Sequence, residues 1–101
     1  MDVLELGTAA DPDDLVAQLP ADPPAGWQRT DSGGGIVQYR LPDEDSPCTA
    51  GSVTVRPDVL GEAAVRVDRT KGCQSAGTTY HDSAESAAEV VAELLDAAPA
   101  Q

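Results

Sequence analysis

The middle of the chain alternates apolar and polar side chains residue by residue, which is the period of a β-strand. The runs "IVQYRL" (36–41), "SVTVR" (52–56) and "AAVRVDR" (63–69) place most of their large apolar residues at odd-numbered positions. Because successive side chains of a strand point to opposite faces, each run has one apolar and one polar face. The residues predicted to share one buried sheet face are Val37, Tyr39, Leu41, Val53, Val55, Val65 and Val67.

Turn sequences divide these runs. A further run, "GWQRT" (26–30), is joined to 36–41 by the flexible hairpin turn "DSGGG", and "PDVLGE" forms the turn before 63–69. The segment "TKGCQSAGTTY" (70–80) has no apolar alternation and is predicted to be a loop with at most a short strand at 78–80. We therefore predict a four-stranded, mainly antiparallel sheet.

Two helices are predicted to flank the sheet. The first begins with Asp11 as N-cap and Pro12 at the first helical position, and it ends at Pro20. The second covers 82–98, with Asp82 as N-cap and Glu85 three residues on. It is amphipathic, so we expect its apolar stripe to pack on the apolar sheet face. That stripe consists of Ala84, Ala87, Ala88, Val91, Leu94, Leu95 and Ala98.

The predicted fold class is thus α+β: a short N-terminal helix, a four-stranded sheet and a C-terminal amphipathic helix on one face. The length of 101 residues fits a single small domain over 1–101. Within it, 1–10 is predicted to be a loose end or a short edge strand, and 99–101 a frayed tail.

The charge of the chain is strongly negative. Eighteen acidic residues against six basic ones give a net charge of −12. There are sixteen alanines, no asparagine and one lysine against five arginines, a usage that resembles the cytosolic proteins of salt-in halophilic archaea. Self-repulsion of this size opposes compaction, and molar salt would screen it. The acidic balance also makes nucleic-acid binding unlikely, since that requires a basic surface.

The termini and hydropathy predict a cytoplasmic location. The start "MDVLELGTAADPDD" is acidic, whereas a signal peptide begins with basic residues. No apolar run approaches the roughly 18 residues of a membrane span, so no membrane association is expected.

The basic residues are confined to the predicted sheet. Residues 29–71 hold all six of them with seven acids, a net charge of −1, and the rest of the chain holds eleven acids and no base. Alternation places Arg40, Arg56 and Arg66 on the polar sheet face. One interpretation is that these arginines pair only with nearby acids such as Asp68. The other is that they bind an acidic protein partner, because the guanidinium fork matches carboxylates.

The two cysteines, Cys48 and Cys73, bracket the second predicted hairpin. If Val53 lies opposite Val65 or Val67, the ladder places Cys48 opposite 70 or 72, close to Cys73. Three states are then open: two reduced thiols without function, a disulfide, or a metal site with the sole histidine, His81. Zinc would need a fourth ligand, such as Asp82 or Asp45. No zinc-finger spacing is present, so no cofactor is predicted beyond that possible zinc.

No catalytic motif stands out, so the chain is not predicted to be an enzyme. The leading functional prediction is a small, salt-adapted binding or accessory module that contacts an acidic partner through its arginine-bearing sheet face. The alternative is a cysteine-dependent module, metal-bound or thiol-redox, that uses Cys48 and Cys73.

Overall fold

The computed structural model describes residues 10–24, 26–42, 50–58 and 63–97. It confirms the α+β class with an antiparallel sheet, but the sheet has five strands, not four, and they follow one another in chain order. The elements are α1 (Pro12–Gln18), β1 (Gln28–Gly33), β2 (Ile36–Leu41), β3 (Gly51–Pro57), β4 (Val65–Lys71), β5 (Gln74–His81) and α2 (Ala84–Ala97).

The fifth strand, β5, corrects the loop predicted over 70–80. It pairs with β4 along its whole length, from Gln74 opposite Lys71 to His81 opposite Val65. Gly72, with φ of 63°, lies in the tight turn between the two strands. An edge strand of serine, threonine and glycine buries little, so its sequence carries no apolar alternation to reveal it.

The apolar sheet face forms as predicted. Six of the seven expected residues are buried, and Leu41 is half-buried. Both helices lie on this face: α1 contacts β2 and β3, whereas α2 contacts β4 and β5. The sequence interpretation assigned the face to the C-terminal helix, but Leu15 and Leu19 at α1 complete the core.

The register of the β3–β4 hairpin differs from the prediction by two residues or more. Val53 lies opposite Arg69, and Val55 lies opposite Val67. The strands extend to the pair Pro57–Val65, and the loop beyond is closed by a hydrogen bond from the Asp58 N–H to the Ala64 carbonyl (3.1 Å). Because the difference is an even number, every side chain keeps its predicted face.

The N-cap of the first helix is the predicted residue, whereas the N-cap of the second is its neighbour in the sequence. Asp11 caps α1 as expected, since its carboxylate accepts from the Asp14 N–H at 3.0 Å. The cap of α2 is Ser83 and not Asp82, because the Ser83 hydroxyl accepts from the Ser86 N–H at 3.0 Å. The acidic stripe of α2 is exposed on the side away from the sheet; it comprises Glu85, Glu89, Glu93 and Asp96.

The turn between β1 and β2 lies against the start of α1. Gly35 has φ of 84°, and a Cβ there would lie 2.9 Å from the Cα of Pro12 and from the Cγ of Pro57. Glycine therefore allows three segments to meet at one point. Of the predicted termini, residues 1–9 and 98–101 lie outside the described residues, while the Ala10 N–H donates to the Ala64 carbonyl at 2.9 Å.

Candidate functional site

The sheet face opposite the helices, which we term the outer face, carries the three arginines singled out by the sequence. Arg40, Arg56 and Arg66 alternate with the buried residues of β2, β3 and β4. Both described helices pack on the other face, so within the described residues no helix covers these side chains.

Two of the arginines form a row with a tyrosine across three adjacent strands. Arg66 lies directly opposite Arg56 on one side and directly opposite Tyr80 on the other. Tyr80 is 58% exposed, and among the described residues no other large hydrophobic side chain is exposed. We term Arg56, Arg66 and Tyr80 the Arg–Tyr row.

One carboxylate serves both guanidinium groups of the row. The Asp68 carboxylate lies 3.1 Å from the Arg66 Nε and 3.9 Å from the Arg56 Nε. It also accepts a hydrogen bond from the Thr78 hydroxyl at 2.6 Å. The pairing predicted as the alternative to partner binding is therefore present, but among the described residues a single acid faces two cations that both remain over 40% exposed.

Arg40 lies apart from the Arg–Tyr row. It is opposite Ser52, four residues along β3 from Arg56, which is a separation of about 13 Å along the strand. The Ser52 hydroxyl is instead hydrogen-bonded to that of Thr70 at 2.5 Å. Within the part of the chain that the structure describes, the outer face thus holds one paired cluster and, apart from it, the exposed Arg40.

Sequence reasoning missed Tyr80 as part of this surface. The tyrosine fell in a segment predicted mainly as loop, so it had no assigned face. The sequence feature that could have identified it is its spacing of two residues from Thr78. Residues two apart in a strand share a face, and pairing of β5 with β4 places both on the outer face.

Two of the candidate metal ligands, Cys73 and His81, lie far apart in the structure. Cys73 immediately precedes β5 and His81 is its last residue, so they are eight residue steps apart, or about 25 Å along the strand. The His81 Nε2 lies 2.9 Å from the Thr79 hydroxyl. A zinc ion bound at about 2.0–2.3 Å from each ligand could not contact both Cys73 and His81.

Cys73 is disulfide-bonded, and the only other cysteine of the sequence, Cys48, lies outside the described residues. Two residues after Cys48, the Ala50 carbonyl accepts from the Gly72 N–H at 3.2 Å. Over the described ranges, no group of three His, Cys, Asp or Glu side chains is arranged to hold a metal ion. Of the other proposed zinc ligands, Asp45 also lies outside those ranges.

None of the helices in the described part of the chain has the length and apolar character needed to cross a bilayer. Comparisons of the chain with protein-family models, with curated proteins and with solved structures each found no match.

Proposed function

We propose that this protein is a non-catalytic binding module whose outer sheet face contacts an acidic protein partner. The observation that carries the proposal is the Arg–Tyr row, in which Tyr80, Arg66 and Arg56 lie side by side on three strands. Tyrosine and arginine are, with tryptophan, the residue types most enriched at the energetic centres of protein interfaces.

The electrostatics of the row favour an added carboxylate. Like charges directly opposite each other on neighbouring strands destabilise a sheet, and Arg56 and Arg66 are such a pair. Asp68 compensates one of the two charges. Each guanidinium has five N–H donors, so both retain donors for a carboxylate supplied by a partner.

The surroundings of the row would orient that partner. A chain with a net charge of −12 repels an acidic protein from most directions, whereas the row offers local positive charge. Such an arrangement yields orientation and specificity more than affinity. Five strands spaced by about 4.8 Å give a sheet about 20 Å wide, and the strands have a similar length. A face of about 20 Å by 20 Å is the size of a weak or transient interface.

The test uses two variants from the same strand. Arg66→Gln and Arg69→Gln each remove one positive charge from β4, but Arg66 belongs to the outer face and Arg69 to the helix-covered face. The probe is a fluorescent peptide of eight glutamates, titrated in constant molar KCl and followed by anisotropy, with a peptide of eight serines as control.

We expect Arg66→Gln to weaken binding of the glutamate peptide at least tenfold and Arg69→Gln to leave it within twofold. Equal affinity of Arg66→Gln and the unmodified protein would overturn the proposal, as would equal losses in both variants, which would indicate a response to net charge alone.

A second proposal concerns the cysteines, and its support is the disulfide state of Cys73. We infer that Cys48 is its partner and that the bond acts as a structural cross-link, closing a loop of 26 residues that also contains the hydrogen bond from the Gly72 N–H to the Ala50 carbonyl. Such a bond would stabilise the fold by about 3 kcal/mol in the chain-entropy model.

This cross-link and the predicted cytoplasmic location favour different compartments, because stable disulfides are rare in a reducing cytosol. A thiol count on protein denatured directly in a thiol-blocking reagent decides between them. We expect no free thiol and a mass two protons below that of the reduced chain, whereas two free thiols would contradict the cross-link.

A further inference from the structure

A pocket of about 240 Å³ lies on the opposite side of the sheet from the Arg–Tyr row. Its walls come from four strands and from α2. Trp27 precedes β1, Leu41 ends β2 and Lys71 ends β4, while Leu94 of α2 lies on the helix side. The pocket is therefore apolar on several sides and has a cation at its edge.

The pocket exists because one strand position lacks a side chain. Gly51 lies between Leu41 and Lys71 in the sheet register. It is on the same face of β3 as Val53 and Val55, which fill that face farther along the strand. A Cβ at Gly51 would meet the Thr70 carbonyl oxygen at 3.5 Å and the Trp27 ring at 3.9 Å, which are ordinary contact distances. A larger residue would thus be tolerated there and would project into the pocket.

A second cation, Arg69, lines the same pocket. One of its terminal nitrogens donates to the Ala76 carbonyl at 3.3 Å and would lie 3.3 Å from a Cβ at Gly77. Its Nε is buried and has no hydrogen-bond acceptor among the described residues. Buried N–H groups of charged side chains are costly to leave unpaired, and a carboxylate oxygen is the acceptor that suits a guanidinium.

We infer that this pocket binds a small carboxylic acid with an apolar body. The carboxylate would pair with Arg69 and Lys71, and the apolar body would occupy the space above Gly51 against Trp27 and Leu94. The volume is below the roughly 300–1,000 Å³ of sites for drug-sized ligands, so the ligand class is restricted to small acids. This site is independent of the outer face.

The test uses phenylacetate and its neutral analogue, phenylacetamide, as probes of nearly equal shape. Trp27 is the only tryptophan, so its indole N–H signal in a proton–nitrogen NMR spectrum reports on the pocket directly. We expect phenylacetate to shift this signal in a saturable way and phenylacetamide to bind at least tenfold more weakly. Equal affinity for the two probes would overturn the inference, because the carboxylate would then contribute nothing to binding.

Two variants then locate the site. Gly51→Val should abolish phenylacetate binding while preserving the dispersed spectrum of a folded sheet, and Arg69→Gln should weaken it at least tenfold. Arg66→Gln, on the other face, should leave it within twofold. Retained binding in a folded Gly51→Val protein would overturn the inference. Because the glutamate peptide depends on Arg66 and phenylacetate on Arg69, each proposal can fail separately.

Discussion

At the scale of single residues, Tyr39 shows how one polar group in the core connects the sheet to a helix. Its ring is fully buried, and its hydroxyl donates to the Pro20 carbonyl at 2.6 Å, just beyond the end of α1. Burial raises the pKa of the Tyr39 phenol above its usual value of 10.0, although the adjacent Arg29 guanidinium opposes that shift. The neutral phenol is therefore the form that the folded state requires.

This raised pKa gives the stability a dependence on alkaline pH. The unfolded chain loses the tyrosine proton near pH 10.0, before the folded chain does, so the contribution is complete below that pH and is lost as pH rises through the folded pKa. Tyr39→Phe removes both the hydrogen bond and the titration. We expect it to cost about 1 kcal/mol at neutral pH, with a difference from the unmodified protein that shrinks above pH 10.0.

Urea unfolding at constant ionic strength, on both proteins at several pH values, measures this difference. A difference between the two proteins that stays constant through the alkaline range would show that Tyr39 is not the group responsible.

At the scale of elements, the sequence predicted the strands in which burial of one face requires alternating apolar and polar residues. The odd-numbered apolar positions of β2, β3 and β4 identified the buried face, because a half-buried strand requires alternation. The edge strand β5 buries little and left no such pattern. Tyr80 was missed for the same reason, so the sequence placed two members of the Arg–Tyr row and not the third.

The start of α2 shows a different limit of sequence reasoning. Asp82 and Ser83 are both good N-cap residues, and only the path of the chain out of β5 decides between them. The pocket likewise could not be predicted from the sequence. It forms where Gly51 has no side chain, and only the strand register shows which residues surround that position.

The Ser83 cap can be tested against its neighbour. Ser83→Ala removes the acceptor for the Ser86 N–H and should lower the free energy of unfolding by about 1 kcal/mol. Asp82→Ala removes a residue that does not cap the helix, and we expect less than about 0.5 kcal/mol. Thermal or urea unfolding of both variants measures the difference; the reverse order would return the cap to Asp82.

At the scale of the whole molecule, the charge is the dominant property. The acidic stripe on α2 repeats every four residues from Glu85 through Glu89 to Glu93, and all three side chains are exposed. Like charges at this spacing destabilise a helix by about 0.2–0.5 kcal/mol per pair. Screening lengths fall from about 10 Å at 0.1 M salt to about 3 Å at 1 M, so the fold is expected to loosen as salt is removed.

Glu89→Gln removes both like-charge pairs at once. We expect it to raise the free energy of unfolding by about 0.5 kcal/mol at low salt and to have almost no effect in molar KCl. Asp22→Asn makes the same charge change at an exposed position outside the helices and serves as the control. Equal gains for the two variants would mean that only net charge matters, and no gain for either would contradict the salt-adapted interpretation.

We propose that the outer face binds an acidic protein partner. The most direct measurement is a proton–nitrogen NMR titration of the unmodified protein with the eight-glutamate peptide in molar KCl. We predict saturable shifts of the backbone amides centred on Arg56, Arg66 and Tyr80. Shifts centred instead on Trp27 and Arg69, or no saturable shift at any peptide concentration, would contradict it.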